Sequence, residues 1–168
     1  SWNIRTAGTV EEITWKPCRS WAINFGRGLG DPWKSLSHDC VEPVGYSVSD
    51  GRTTCAVATD LGVVGHPVRH RMGLADCVVL EFNHDERMLR EGDYPWFLKQ
   101  RIMSNEGHLS NEAAARELVS LSDGPISALV LAHLSRENNT PDLALATARD
   151  ALERAGRPDI DVHLAAQN

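Results

Sequence analysis

Imidazole and carboxylate side chains recur along this sequence at the ends of apolar runs. Asp60 follows the run Thr53–Thr59, Asn83-His84-Asp85 follows Val78–Phe82, and His133 follows Leu129–Ala132. His38 sits in a loop before the first pair of strands, and His108 stands just ahead of a helix in Gly107-His108-Leu109-Ser110-Asn111. The C-terminal ends of strands are where α/β sheets gather their sites. Imidazole nitrogen and carboxylate oxygen together suit Zn²⁺ or Mn²⁺. The sequence holds no HExxH, Walker loop or nucleophile elbow that would point to a different chemistry.

The elements that must position these residues follow from pattern. Gly26–Ser37 carries Gly, Pro and Ser and reads as a loop. Val44–Ser49 and Thr53–Ala58 read as a hairpin around a two-residue Asp50-Gly51 turn of type I′. Cys77–Phe82 and Ser127–Ala132 are short continuous apolar runs, the mark of buried strands. Ser110 is placed to cap one helix and Thr140 another, the second with Pro141 at its first position and Gly156 at its end. Ile160–Leu164 reads as a last strand at the sheet edge. Strand and helix alternate, so the chain is of the α/β class.

The bulk properties are those of an ordinary globular chain. At 168 residues it is expected to form one domain, residues 1–168. Hydrophobic residues make up 42% and charged residues 24%, and no apolar run approaches the ~20 residues that span a bilayer. A net charge of −6 argues against a broad basic nucleic-acid footprint, yet leaves room for a phosphate substrate met by bound metal ions. Cys18, Cys40, Cys55 and Cys77 form no CxxC pair and read as free thiols of a cytoplasmic protein. His66 and His70 share one face of a short helix and read as solvated, as does His163. Tyr94-Pro95-Trp96-Phe97 reads either as core packing or as a surface that stacks bases, and Lys99 and Arg101 beside it either as solvated or as phosphate contacts.

Longer motifs resemble one superfamily. Ser37-His38-Asp39 with Glu42-Pro43-Val44-Gly45-Tyr46, Ala58-Thr59-Asp60-Leu61-Gly62, and Leu129-Val130-Leu131-Ala132-His133-Leu134-Ser135 resemble, in order, three ligand motifs of metallo-β-lactamase-fold hydrolases. Four further segments narrow the match: Glu81-Phe82-Asn83-His84-Asp85, Tyr94–Lys99, Gly107–Asn111 and Arg136-Glu137-Asn138-Asn139-Thr140-Pro141. Together with Thr6-Ala7-Gly8-Thr9 they resemble the YycJ/WalJ-type proteins, metal-dependent DNA 5′-exonucleases of that superfamily, across about residues 6 to 156.

The resemblance implies the C-terminal part of an αββα sandwich. It implies two divalent ions, Zn or Mn, with His38 and His133 on separate ions and Asp60 bridging them. It gives His84 and His108 catalytic roles near the scissile phosphate. Asn83, Ser135, Asn138 and Asn139 become candidates for substrate binding, with turn and helix capping the alternative for the asparagines. The implied reaction is attack of a metal-bound hydroxide on a phosphodiester, with nucleic acid, DNA by resemblance, as substrate and no membrane partner. The family's HxHxDH signature does not occur in these 168 residues. The expectation is therefore that catalysis needs that segment, supplied upstream or by a second copy in a homo-oligomer. Two other readings stand beside this one: a non-catalytic relic or binding module of the same fold, and a metallohydrolase of small esters, thioesters or lactams.

Overall fold

A computed structural model describes residues 31–34 and 44–165. Among these residues six strands form one sheet in the order β1-β2-β3-β4-β5-β6. They are β1 (Asp31–Lys34), β2 (Val44–Ser49), β3 (Thr54–Ala58), β4 (Cys77–Glu81), β5 (Ala128–Ala132) and β6 (Asp161–Leu164). β1, β2 and β3 pair antiparallel, and β3 to β6 run parallel. The helices among the described residues are α1 (His66–Met72), α2 (Glu86–Glu91), α3 (Trp96–Ile102), α4 (Asn111–Leu121) and α5 (Pro141–Arg154). No helix among the described residues is long and apolar enough to cross a membrane.

Period-two alternation sorts the strand side chains onto two faces. Ala56, Ala58, Val78, Leu80, Leu129 and Leu131 face α1, α4 and α5, whose Val68, Met72, Ala114, Leu118, Leu121, Ala144, Ala148 and Leu152 complete the larger core. Val79, Val130 and Ala132 are buried on the other face. Both faces are covered, which is why the parallel strands read as unbroken apolar runs rather than alternating ones. Small alanines on α4 and α5 let those helices lie close to each other and to the sheet.

The helix starts follow local chemistry. The hydroxyls of Ser110 and Thr140 accept from the N–H of Ala113 and Leu143, and the Asp85 carboxylate accepts from Met88 N–H. Gly156 adopts φ +72, the left-handed turn that ends α5.

Three expectations need correction. Asp31–Lys34, expected within a loop, is a strand paired with β2; among the described residues β1 is the outermost strand, the position at which a sheet accommodates a proline such as Pro32. The hairpin turn is longer than two residues. Ser49 pairs with Thr54, and the four residues between are held by Asp50, whose carboxylate accepts from the N–H of Arg52 and Thr53. Lys99 is neither solvated nor turned toward a phosphate. It is 8% exposed, and its Nζ donates to the carbonyls of Arg90 and Gly92, tying α3 to the end of α2. Two expectations for histidines agree with the structure: His66 and His70 lie exposed on α1.

Candidate active site

Three parallel strands end side by side, and each delivers an ionisable group. β4 ends on Glu81. Asp60 follows β3 after one intervening residue, and His133 follows β5 directly. Asp60 and His133 both adopt positive φ, 62° and 56°, and no other non-glycine does so among the described residues. A left-handed turn costs an L-residue roughly 1 kcal/mol or more, so two of them at neighbouring strand ends mark a place where side-chain direction outweighs backbone comfort.

His108 reaches the same place by a different route. Beyond β4 the chain pairs with the segment before α4: Asn83 N–H donates to Leu109 O, and Asn111 N–H donates to His84 O. That backbone pairing sets His108 beside the end of β4. The approach is tight on the other side too. A Cβ on Gly62 would come within 2.2 Å of the Asn105 carbonyl, and one on Gly107 within 2.2 Å of Ile102 O. Both positions require glycine because backbone lies against backbone.

Glu81 organises the cluster. It is fully buried, and its Oε1 lies 2.7 Å from Nδ1 of both His108 and His133. Its Oε2 accepts from Leu61 N–H at 2.7 Å, fixing the turn that carries Asp60. Burial raises the Glu81 carboxyl, but the two histidine bonds outweigh it and hold the group below the ordinary carboxylate range. An ionised carboxylate only accepts, so both Nδ1 atoms carry the proton and both Nε2 atoms turn away from Glu81. Asp60 Oδ1 lies 3.6 Å from His133 Nδ1, and the two imidazoles meet edge to face at 5.1 Å. Burial lowers the His133 pKa, yet its bond to Glu81 and the charges of Glu81 and Asp60 carry it above the ordinary value.

Asp60, His108 and His133 each present a ligand atom, and these lie within 4.8 Å of one another. One carboxylate oxygen and two imidazole nitrogens, the latter held by a buried carboxylate behind them, form a donor set that suits a borderline divalent ion such as zinc. Of the residues expected from sequence, the structure brings together Asp60, His108 and His133. His38 lies outside the described residues.

His84 is 2% exposed, its Nδ1 has no hydrogen-bond partner, and burial pushes its pKa down to about 4. The four polar candidates knit the surrounding loops. Asn83 Nδ2 donates to His133 O. Ser135 Oγ accepts from Asn138 N–H. Asn139 Nδ2 donates to Phe82 O, Asn83 O and Asn111 Oδ1, while Asn139 Oδ1 accepts from Asn111 Nδ2. Asn138 is 2% exposed and its Nδ2 is unpartnered. Glu81 is the residue that sequence reasoning missed. Its signal was a lone carboxylate closing an apolar run, at a position where a strand buried on both faces has no water to offer it.

Comparison with known proteins fits this geometry. No family model matches the sequence. The metallo-β-lactamase-fold protein YhfI from Bacillus subtilis superposes with a TM-score of 0.57 at 16% identity, covering 89% of this chain and 49% of YhfI. Exodeoxyribonuclease YycJ of Bacillus anthracis is 38% identical over 121 residues, 72% of this chain and 46% of that protein. This chain has the metallo-β-lactamase fold and is a relative of the YycJ/WalJ proteins. A second relative, exodeoxyribonuclease WalJ of Streptococcus pneumoniae serotype 2, is 38% identical over 120 residues, 71% of this chain and 45% of WalJ. The YycJ/WalJ relative described here thus spans just under half the length of the proteins it matches.

Proposed function

We propose that this chain belongs to a metal-dependent phosphodiesterase that removes nucleotides from DNA ends. One observation carries the reading: a buried, ionised Glu81 holds two histidines by Nδ1, and Asp60, His108 and His133 each offer a ligand atom within 4.8 Å of the others. The names of the YycJ and WalJ relatives support DNA as the substrate.

In this reading Asp60, His38 and His133 would hold two divalent ions, His38 and His133 on different ones. When bound, zinc or manganese would supply Lewis acidity at the phosphate and lower the pKa of a nearby water toward 7. Asp60 orients that water by its carboxylate. His108, kept with its proton on Nδ1 by Glu81, presents Nε2 to the leaving oxygen and passes it a proton when protonated there. His84 stays neutral at physiological pH and positions rather than protonates. Asn83 and Asn139 hold the strand-end loops in register. Their amides are committed to backbone and to Asn111, so their contribution to substrate binding runs through the shape of the loops.

The test is a digestion assay on end-labelled single- and double-stranded DNA with zinc or manganese, using the chain together with whatever its gene encodes upstream. Mononucleotide release that requires the metal, and that falls at least 100-fold in Asp60→Asn, is the expected result. Metal uptake without DNA digestion, coupled with turnover of a thioester or lactam, would move the reading to a small-molecule hydrolase. Absence of metal uptake by the longest chain would make this a non-catalytic relic.

A further inference from the structure

The two aromatic residues that open α3 do not pack into the core. Trp96 and Phe97 are 63% and 71% exposed, two large aromatic side chains standing side by side in water. This corrects the core-packing expectation for these two residues. We propose that Trp96 and Phe97 form a stacking platform for unpaired nucleobases of a DNA strand whose end reaches the Asp60–His108–His133 cluster. The proposal rests on the nuclease reading and names the part of the substrate that this surface takes.

Three observations support nucleobases as the occupant. The helix that carries the platform is tied down. Lys99 anchors α3 to the carbonyls of Arg90 and Gly92, so the backbone beneath the aromatics need not be ordered when a ligand arrives. It is also coupled to the site. α3 ends at Ile102, whose carbonyl accepts from His108 N–H at 2.9 Å. Seven helical residues span roughly 10 Å. At about 3.4 Å per stacked step of a strand, the platform stands two to three bases from the histidine it helps hold.

The third observation is charge. On the neighbouring α2, Arg90 pairs with Glu86 and Arg87 with Glu91, so the flanking guanidinium groups are offset by carboxylates. Those carboxylates weaken the hold of the α2 guanidinium groups on phosphates. A nucleobase has an uncharged π-face and stacks on indole or phenyl regardless of sequence. Adjacent helical residues diverge by about 100°, so each ring takes a different base. Phosphate is left to the metal site and bases to α3.

The test compares oligo-dT with an abasic strand of equal length, in digestion kinetics and in fluorescence anisotropy. The variants are Trp96→Ala/Phe97→Ala and the conservative Trp96→Phe/Phe97→Tyr. Stacking lost at one or two bases should raise KM on oligo-dT about 5- to 50-fold, leave kcat within about two-fold, and leave the melting temperature unchanged. The abasic strand should show no such difference, and the conservative pair should behave like the wild type. An unchanged KM in the double alanine variant overturns the platform, as does an equal loss on both strands. Conversion of an oligomer to a monomer with dT preference intact also overturns it and makes the surface a contact between copies. If the wild type digests no DNA, the nuclease reading fails by itself. Anisotropy in chelator then decides the platform separately: preference for dT over the abasic strand, lost on alanine substitution, supports it, and equal binding overturns it.

Discussion

At the scale of residues, the site turns on one buried carboxylate serving two histidines and a backbone amide. Glu81→Gln keeps the size but replaces an acceptor-only group with one that also donates. Oε1 serves both Nδ1–H groups and Oε2 serves the Leu61 N–H, so the amide either leaves Leu61 N–H without an acceptor or, flipped, leaves both imidazoles unheld and free to turn. Loss of such a supporting carboxylate costs metal sites about 10- to 100-fold in affinity. Zinc affinity by competition with a chromophoric chelator should fall by that factor. An unchanged affinity would mean that Glu81 serves the fold alone. His84 supports a second prediction, one of pH. Its folded pKa, about 4, lies below the unfolded value near 6.5, so the unfolded chain binds the extra proton first. Stability is therefore fully present above about pH 6.5 and drains away as pH falls toward 4. The span is worth about 3 kcal/mol. Urea unfolding of metal-free protein at pH 7 and pH 4.5 should show this loss in the wild type and a smaller one in His84→Gln. Equal losses would mean that other groups carry the acid sensitivity.

At the scale of elements, three strand ends and one helix start converge because glycines let loops touch. Gly62 lies against Asn105 at a distance no Cβ tolerates, in the loop that leads from α3 to His108. Gly62→Ala must push the Asp60 turn away from the His108 loop. Overpacking of this kind costs about 1–3 kcal/mol, here with loss of metal affinity as well. Gly65→Ala, three residues on, meets nothing closer than 3.7 Å and should shift unfolding by only a few tenths of that. Comparable destabilisation by both substitutions would refute the close-approach argument. Much at this scale was legible in advance. The apolar runs gave β4 and β5 within a residue of their observed bounds, and Ser110 and Thr140 announced α4 and α5 by cap chemistry that acts locally. Asp60, His133 and His108 could be picked out because each follows or precedes such an element. Glu81 and Lys99 could not. Each is a charged residue whose partners lie on other segments, and sequence spacing carries no record of those partners. The extended turn after Ser49 escaped for a related reason: Asp50-Gly51 suits a tight turn, and it is the Asp50 carboxylate reaching forward to Thr53 that lengthens it.

At the scale of the whole molecule, the question is how much of a metal centre this span assembles. The described residues bring Asp60 and His133 together as ligands with His108 beside them, so a catalytic zinc site with three protein ligands still calls on a further one such as His38. An ion that binds the folded chain and not the unfolded one stabilises it by RT ln(1 + [L]/Kd), about 2.7 kcal/mol at one hundred times Kd. For a chain of this length that is a rise in melting temperature of about 5–10 °C. A titration should give such a rise with zinc or manganese and much less with magnesium, which prefers oxygen donors. Chelator should reverse it, and Asp60→Asn and His133→Ala should abolish it. The sign of the pH effect follows from His133, whose proton the site holds above the ordinary histidine range. A metal must displace that proton, so the shift at fixed zinc should grow from pH 6 to pH 8. Equal shifts in wild type and both variants would locate the binding elsewhere. A shift that shrank as pH rose would mean that the metal does not compete with the proton on His133.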